Sequence, residues 1–218
     1  MTDSRILEIT PDTEYNKLLL SEHEHYYQNT DVDFHSNYRC VDIDFEWKEP
    51  TTTRKAFNQI IERIPQNSDW VFLDCGCGLG HVMYLASFYF NVVYGVELID
   101  EIANIAKHNL MKLLPDNKSC RVFSCDMFDL DAKIINETNI FYISSPFMDE
   151  KLFNKLVKMI FGSLQKIERE IWIIYYYPYC ANILEKYRET FPTVDTIETM
   201  ETMGKVKFYH HSVLQKSR

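Results

Sequence analysis

The spacing of hydrophobic residues changes near residue 70. Before it, apolar side chains recur every three or four positions in 51–64, which predicts a helix. After it, short apolar runs alternate with stretches of helical spacing, as in parallel strands joined by crossover helices. The predicted strands are Trp70–Leu73, Val92–Val96, Cys120–Ser124, Ile140–Ser144 and Ile171–Tyr177, and helices are predicted at 80–89, 100–113, 149–166 and 180–189.

The last two predicted strands are connected differently. The segments 194–203 and 205–214 both alternate apolar and polar residues, and only Gly204 separates them. Since a crossover helix does not fit between them, they predict an antiparallel hairpin. We therefore expect an α/β fold with a mostly parallel sheet, helices on both faces and a C-terminal antiparallel hairpin.

Residues 1–50 differ in composition from the rest of the chain. They are acidic and rich in Tyr, His and Asp, with one short amphipathic run at 14–25. We interpret them as an N-terminal extension, either a lid over the site or a packing strap, in front of a domain covering 51–218. The first residues lack the basic start and apolar middle of a secretory signal, so the expected location is cytoplasmic.

Composition limits the classes of function. The 218 residues are 46% apolar, enough for one full core, and no apolar run reaches membrane-spanning length. The formal net charge of −9, with the acidic excess in residues 1–150, argues against sequence-independent nucleic-acid binding. The six cysteines contain no C-x-x-C pair, so we predict free thiols and no metal site.

A glycine-rich loop directly follows the first predicted strand. The segment VFLDCGCGLG places Asp74, Gly76, Gly78 and Gly80 between that strand and a helix, where glycines let a ligand approach the main chain. A dinucleotide fingerprint would need glycine or alanine where His81 stands, and a P-loop would need a lysine that is absent. The loop therefore belongs to another nucleotide-binding class.

Two further acidic residues close the next two predicted strands. Glu97 ends the second strand, where a carboxylate can accept hydrogen bonds from both hydroxyls of a ribose. Asp126 follows the third strand, where it could bind an adenine amino group or cap a helix N-terminus. Because ligands of open α/β sheets bind at the carboxyl ends of the strands, these acids and the loop predict one cofactor site.

These residues resemble the S-adenosylmethionine-dependent methyltransferases of the Rossmann-like class over roughly residues 48–214. The resemblance implies a seven-stranded sheet, S-adenosyl-L-methionine as cofactor, and a glycine loop that cradles its methionine part. It places Asp74 near the amino group, Glu97 on the ribose, and Asp126 with Met127 around the adenine. The cofactor-binding residues that it implies are Thr51, Asp74, Gly76, Gly78, Gly80, Glu97, Leu98, Asp126, Met127 and Ser144.

A narrower resemblance concerns an uncharacterised group of bacterial-type methyltransferases. That group has a Tyr-Glu-Pro-Thr element before the first helix and Asn-Pro-Phe after the fourth strand; residues 47–51 and 144–147 read Trp-Lys-Glu-Pro-Thr and Ser-Ser-Pro-Phe here. The histone-lysine methyltransferases built on this sheet are similar in arrangement, without a long match.

The predicted acceptor side rests on the ends of the fourth and fifth strands. In many amino-group methyltransferases a polar residue, proline and an aromatic ring follow the fourth strand, which makes Ser145 the candidate amine acceptor and Phe147 the stacking surface. A strand-ending turn with a buried Phe is the alternative. Along 175–177 the tyrosines alternate between faces; Tyr175 is the third catalytic candidate, with packing as its alternative.

We therefore expect methyl transfer to an amino nitrogen of a protein lysine or another amine. A cofactor-binding module that acts through a protein partner and a small-molecule O-methyltransferase are the alternatives. An NAD-dependent oxidoreductase is disfavoured by His81 and by the hairpin end.

Overall fold

One sheet organises the part of the chain that the structure describes. The structure is a computed structural model, and it describes residues 54–114, 119–144, 149–199 and 204–213. The predicted extension 1–50 and its helix at 14–25 lie outside these ranges. The strands of the sheet are β1 (Val71–Cys75), β2 (Val92–Glu97), β3 (Ser119–Ser124), β4 (Thr138–Ser144), β5 (Ile171–Tyr176), β6 (Thr193–Thr199) and β7 (Gly204–His211).

The order of these seven strands is β3-β2-β1-β4-β5-β7-β6. Strands β3, β2, β1, β4 and β5 pair in parallel, while β7 pairs antiparallel with both β5 and β6. This confirms the predicted α/β class, its Rossmann-like sheet and the C-terminal hairpin. It also brings the carboxyl ends of β1, β2, β3, β4 and β5 to one edge, which we call the carboxyl edge.

Helices cover both faces of the sheet and bury two apolar clusters. On one face Phe57, Tyr84 and Leu110 pack together, and on the other Phe153 packs with Leu184. Strand β4 serves both clusters because successive side chains of a strand point to opposite faces. The helices are α1 (Arg54–Ile61), α2 (His81–Ala86), α3 (Asp100–Leu113), α4 (Ala132–Glu137), α5 (Glu150–Lys166) and α6 (Ala181–Glu185).

The sequence pattern missed α4 and the short 3-10 helix at Met127–Asp129. The 3-10 helix has only three residues, and the buried residues of α4, Ile134 and Ile135, are adjacent, so neither segment shows a helical period. Their starts are set by polar caps: Asp126 accepts a hydrogen bond from the Phe128 amide, and Asp131 accepts one from the Lys133 amide. Within the described residues, no helix combines the length and the apolar character that crossing a bilayer requires.

Gly95 and Gly162 offer a matched test of packing in the sheet and in a helix. A Cβ at Gly95 would lie 2.2 Å from Met83 Sδ and 2.8 Å from Cys77 Cβ, whereas one at Gly162 would meet nothing within 4 Å. Gly95→Ala should therefore lower the free energy of unfolding by about 1–3 kcal/mol through overpacking. Gly162→Ala, inside α5, should raise it by about 1 kcal/mol. Urea unfolding measures both; equal signs would contradict the packing at Gly95.

Candidate functional site

The glycine loop between β1 and α2 has a backbone that requires its glycines. Gly76, Gly78 and Gly80 have φ angles of 91°, 51° and 87°, in the left-handed region that other residues rarely adopt. The Gly76 and Cys77 amides donate to the Val96 carbonyl at 3.0 and 2.8 Å. The loop is thus folded back onto the end of β2.

Glu97 fixes the same loop through its side chain. It is the last residue of β2 and only 6% exposed. The Gly78 amide donates to Oε2 at 3.0 Å, and the Ile99 amide donates to Oε1 at 3.0 Å. Because a carboxylate has about four acceptor positions, each oxygen can still accept one hydroxyl. This donor and acceptor set fits a ribose with two neighbouring hydroxyls.

Asp74 lies beside Glu97 in the same buried pocket. It pairs with Gly95 across β1 and β2 and is 2% exposed. Burial, and then the charge of Glu97, raise the pKa of Asp74 well above its usual range. Burial also raises the pKa of Glu97, although the amides of Ile99 and Gly78 act against the shift. A ligand that brings an ammonium group and hydroxyl donors would compensate both buried carboxyls.

The end of β3 completes the pocket on its outer side. The Cys125 amide donates to the Glu97 carbonyl at 3.0 Å, which joins the ends of β2 and β3 one residue before Asp126. Asp126 is exposed and caps the 3-10 helix with Oδ1, so the capping interpretation is confirmed. Met127 is buried, whereas the apolar Leu98 is 59% exposed. An exposed leucine next to the buried carboxyls fits a flat apolar ligand group such as adenine.

Ser144 ends β4 at the carboxyl edge, where it pairs with Tyr176 of β5 and is half-buried. The predicted site residues Thr51, Ser145 and Phe147 lie outside the described residues, and their roles stay predictions. The structure thus brings together the loop, Asp74, Glu97, Leu98, Asp126, Met127 and Ser144.

Tyr175 does not lie with this group. Its ring is fully buried and stacks on Phe153, with centroids 4.7 Å apart and an interplanar angle of 17°. Its hydroxyl accepts a hydrogen bond from the Cys180 amide at 3.1 Å. Burial also raises the pKa of Tyr175. The hydroxyl is therefore engaged inside the core, which favours packing over the predicted role in orienting an acceptor.

Asn109 is a residue of the site that sequence reasoning missed. It is fully buried on α3, and its Nδ2 donates to the carbonyl of Leu79, between Gly78 and Gly80, at 3.2 Å. Its Oδ1 has no hydrogen-bond partner among the described residues. The signal was a polar side chain on the buried face of a helix, beside Leu110. Asn109 thus anchors the glycine loop from below.

Asn109→Leu should separate stability from ligand binding. The leucine keeps the side-chain volume and removes a buried oxygen without a partner, so unfolding should change by less than about 1.5 kcal/mol. Loss of the loop anchor should weaken binding of S-adenosylhomocysteine roughly tenfold, as for one lost hydrogen bond. Calorimetry measures the affinity. Asn104→Leu, on the exposed side of α3, is the control. A lower stability with unchanged affinity would contradict this role.

The burial of Asp74 predicts a pH-dependent cost to stability. The pKa of Asp74 is raised in the folded protein. Its contribution to the free energy of unfolding is therefore fully present below the ordinary aspartate pKa of about 4, and it is lost as the pH rises towards the folded pKa. Between these two pKa values, the free energy of unfolding of Asp74→Asn should rise relative to that of the wild type by about 1.4 kcal/mol per pH unit. Denaturant unfolding between pH 4 and 8 measures this, with the exposed Glu168→Gln as control. A pH-independent difference would contradict the assignment.

A comparison with protein families gives one match. The model of the family described as "Histone methylation protein DOT1" matches residues 51–213. The match includes every described element. It corrects the expectation that the histone-lysine methyltransferases share no long match with this sequence, because it covers most of the chain. No curated protein matches the sequence.

Several solved structures share the fold at low sequence identity. The tRNA methyltransferase TrmI from Aquifex aeolicus is 15% identical, with a TM-score of 0.59 over 78% of this chain and 74% of that one. Magnesium protoporphyrin IX methyltransferase from Synechocystis, solved with its bound cofactor, is 12% identical, with a TM-score of 0.57 over 88% and 96%. An RNA methyltransferase from Salinibacter ruber, in complex with S-adenosylhomocysteine, is 13% identical, with a TM-score of 0.55 over 76% and 97%.

These enzymes act on a porphyrin and on different RNAs. Their similarity to this chain therefore shows a shared fold and does not identify the acceptor. Together with the family match, they confirm the resemblance to the Rossmann-like methyltransferases. The narrower resemblance to the bacterial-type group is not confirmed, and its elements at 47–51 and 145–147 lie outside the described residues.

Proposed function

Since this chain belongs to the family of the histone methylation protein DOT1 and is an S-adenosylmethionine-dependent methyltransferase, we propose that it methylates an amino nitrogen, with a protein lysine as acceptor. The observation that carries the proposal is the family match over 51–213, because it includes the loop, both buried carboxyls and all seven strands. We further propose that 51–218 is the catalytic domain and that 1–50 is an N-terminal extension of it, either a lid or a packing strap.

The proposed roles of the cofactor-binding residues come from the resemblance and are supported by where these residues lie. The loop backbone bends around the methionine part, and Asp74 accepts a hydrogen bond from its ammonium group. Glu97 keeps its two amide contacts and accepts the ribose hydroxyls with its remaining lone pairs. Leu98 and Met127 contact the adenine, beside Asp126. When bound, the cofactor supplies a methyl group on a sulfonium; the protein aligns the acceptor and excludes water.

Charge at the carboxyl edge supports a basic acceptor. In 98–101, 125–131 and 149–151, which begin the described segments after β2, β3 and β4, seven side chains are acidic and one is basic, and most of the acids are exposed. Such a rim attracts a lysine-rich segment by electrostatic steering. It repels the phosphate backbone of a nucleic acid, which favours a protein acceptor over the RNA acceptors of the similar folds. The acidic residues are Asp100, Glu101, Asp126, Asp129, Asp131, Asp149 and Glu150.

Ser145 and Phe147 are proposed to complete the acceptor site after β4, with the serine oxygens holding the amine and the ring contacting its alkyl chain. Ser144, half-buried at the end of β4, sets the start of this segment. A lysine arrives as an ammonium ion, so its nitrogen must release one proton to water before its lone pair can attack the methyl group in line.

Calorimetry and methyl transfer test the two parts of the proposal. The protein should bind S-adenosylmethionine and S-adenosylhomocysteine but not NAD, and Glu97→Ala should weaken binding by about 1.5–3 kcal/mol, the value of a charged hydrogen-bond partner. Glu101→Ala, at an exposed acid on α3, is the matched control. With labelled cofactor, core histones and other basic proteins should gain methyl groups on lysine Nζ, read by mass spectrometry.

Each failure has a separate meaning. If neither sulfur nucleotide binds, the cofactor site is wrong and the partner-dependent module gains support. If Glu97→Ala and Glu101→Ala bind equally well, the ribose role of Glu97 is wrong. If the cofactor binds but the label appears in total RNA, or on a small-molecule hydroxyl, instead of protein, the lysine acceptor is wrong.

A further inference from the structure

Tyr177 occupies a particular place at the carboxyl edge. It directly follows β5, whose last residue, Tyr176, pairs with Ser144 at the end of β4. The Tyr177 amide donates to the Lys205 carbonyl at 2.9 Å, so the start of β7 fixes its backbone. Tyr177 therefore lies between the end of β4 and the beginning of β7.

The backbone of Tyr177 is strained. Its φ angle is 51°, and among the described residues it is the one non-glycine residue with a positive φ. Side chains with a Cβ disfavour this region, and a tyrosine there costs more conformational energy than a glycine would. Residues with strained backbone angles are enriched at functional sites, where the function requires a side chain that the local backbone conformation disfavours.

Tyr177 packs against the core but is less buried than the tyrosine before it. Tyr176 is fully buried and its hydroxyl contacts Thr199 Oγ1 at 3.2 Å, whereas Tyr177 is only half-buried. The ring of Tyr177 lies 4.4 Å from that of Tyr176 and 6.4 Å from that of Tyr179, to which it is nearly parallel at 13°. Tyr179 is 60% exposed. Tyr177 and Tyr179 thus form a tyrosine pair that reaches from the core to the surface.

We propose that the tyrosine pair is a specificity-determining part of the acceptor site, with Tyr177 as its inner residue. The ring of Tyr177 contacts the alkyl chain and the cationic amino group of the acceptor, and Tyr179 continues this surface outwards. Aromatic faces attract ammonium groups and also bind apolar chains, and a lysine side chain offers both. This inference rests on the proposed function.

A bound analogue can test the pair without an identified acceptor. The probe is an adenosylmethionine analogue with nitrogen in place of sulfur, carrying a butylammonium arm in place of the methyl group. The reference ligand carries the methyl group on the same nitrogen. Calorimetry with the full-length protein should show tighter binding of the armed probe than of the reference, by at least about fivefold, the size of one cation–π contact.

Three substitutions at one position separate the ring from the strain. Tyr177→Gly relieves the strained φ and removes the ring, so its melting temperature should equal or exceed that of Tyr177→Ala while the preference for the armed probe falls about fivefold. Tyr177→Ala should lose the same preference. Tyr177→Phe keeps the ring and should keep the preference. All three should bind the reference ligand like the wild type.

The outcomes distinguish this inference from the proposed function. If the wild type prefers the armed probe and Tyr177→Gly keeps that preference, the role of the tyrosine pair is wrong and the amine acceptor stands. If the wild type shows no preference but binds the reference ligand, the amine acceptor is wrong and the inference fails with it. If Tyr177→Gly weakens both ligands equally, Tyr177 is a structural residue of the cofactor pocket and the inference is overturned.

Discussion

The site depends on one carboxylate that is bound by two backbone amides. Glu97 accepts hydrogen bonds from Gly78 and Ile99 at 3.0 Å each, and so connects the glycine loop to the end of β2 and the start of α3. The Cys125 amide donates to the backbone carbonyl of Glu97, which connects the end of β3 to the same residue. Three segments that are distant in sequence thereby share one fixed point. These contacts are present without a ligand, so less conformational entropy is lost when a ligand binds.

The groups that pre-organise the site lower the stability of the folded protein. Asp74 and Glu97 are both buried, and their raised pKa values show that the folded protein holds their charges at a cost. The Oδ1 of Asn109, which has no hydrogen-bond partner in the described part of the chain, and the positive φ of Tyr177 add costs of the same kind. All four residues lie at or below the carboxyl edge, while the core beneath it is apolar. Costs of this kind at a candidate site are typical of functional positions, where binding of a ligand offsets them.

The sequence predicted the sheet better than the details of the site. Strand positions, the crossover helices and the hairpin at Gly204 followed from periods and turn residues, and Glu97 followed from its place at a strand end. The short helix α4 was missed because its two buried residues, Ile134 and Ile135, are adjacent and show no helical period. Asn109 was missed because its partner, the Leu79 carbonyl, is 30 residues away in sequence. Backbone contacts of this kind leave no pattern in the side-chain spacing.

The three consecutive tyrosines after β5 show why residue type alone could not assign the acceptor side. Tyr175 and Tyr176 lie within the strand, so alternation sends them into the two opposite cores, where Tyr175 stacks on Phe153 and Tyr176 contacts Thr199. Tyr177 comes one residue after the strand has ended, and its left-handed backbone removes it from that alternation. A sequence pattern extended through Tyr177 would place it on the same face as Tyr175. The change of backbone direction, fixed by the Lys205 carbonyl, instead leaves its half-buried ring between those of Tyr176 and Tyr179.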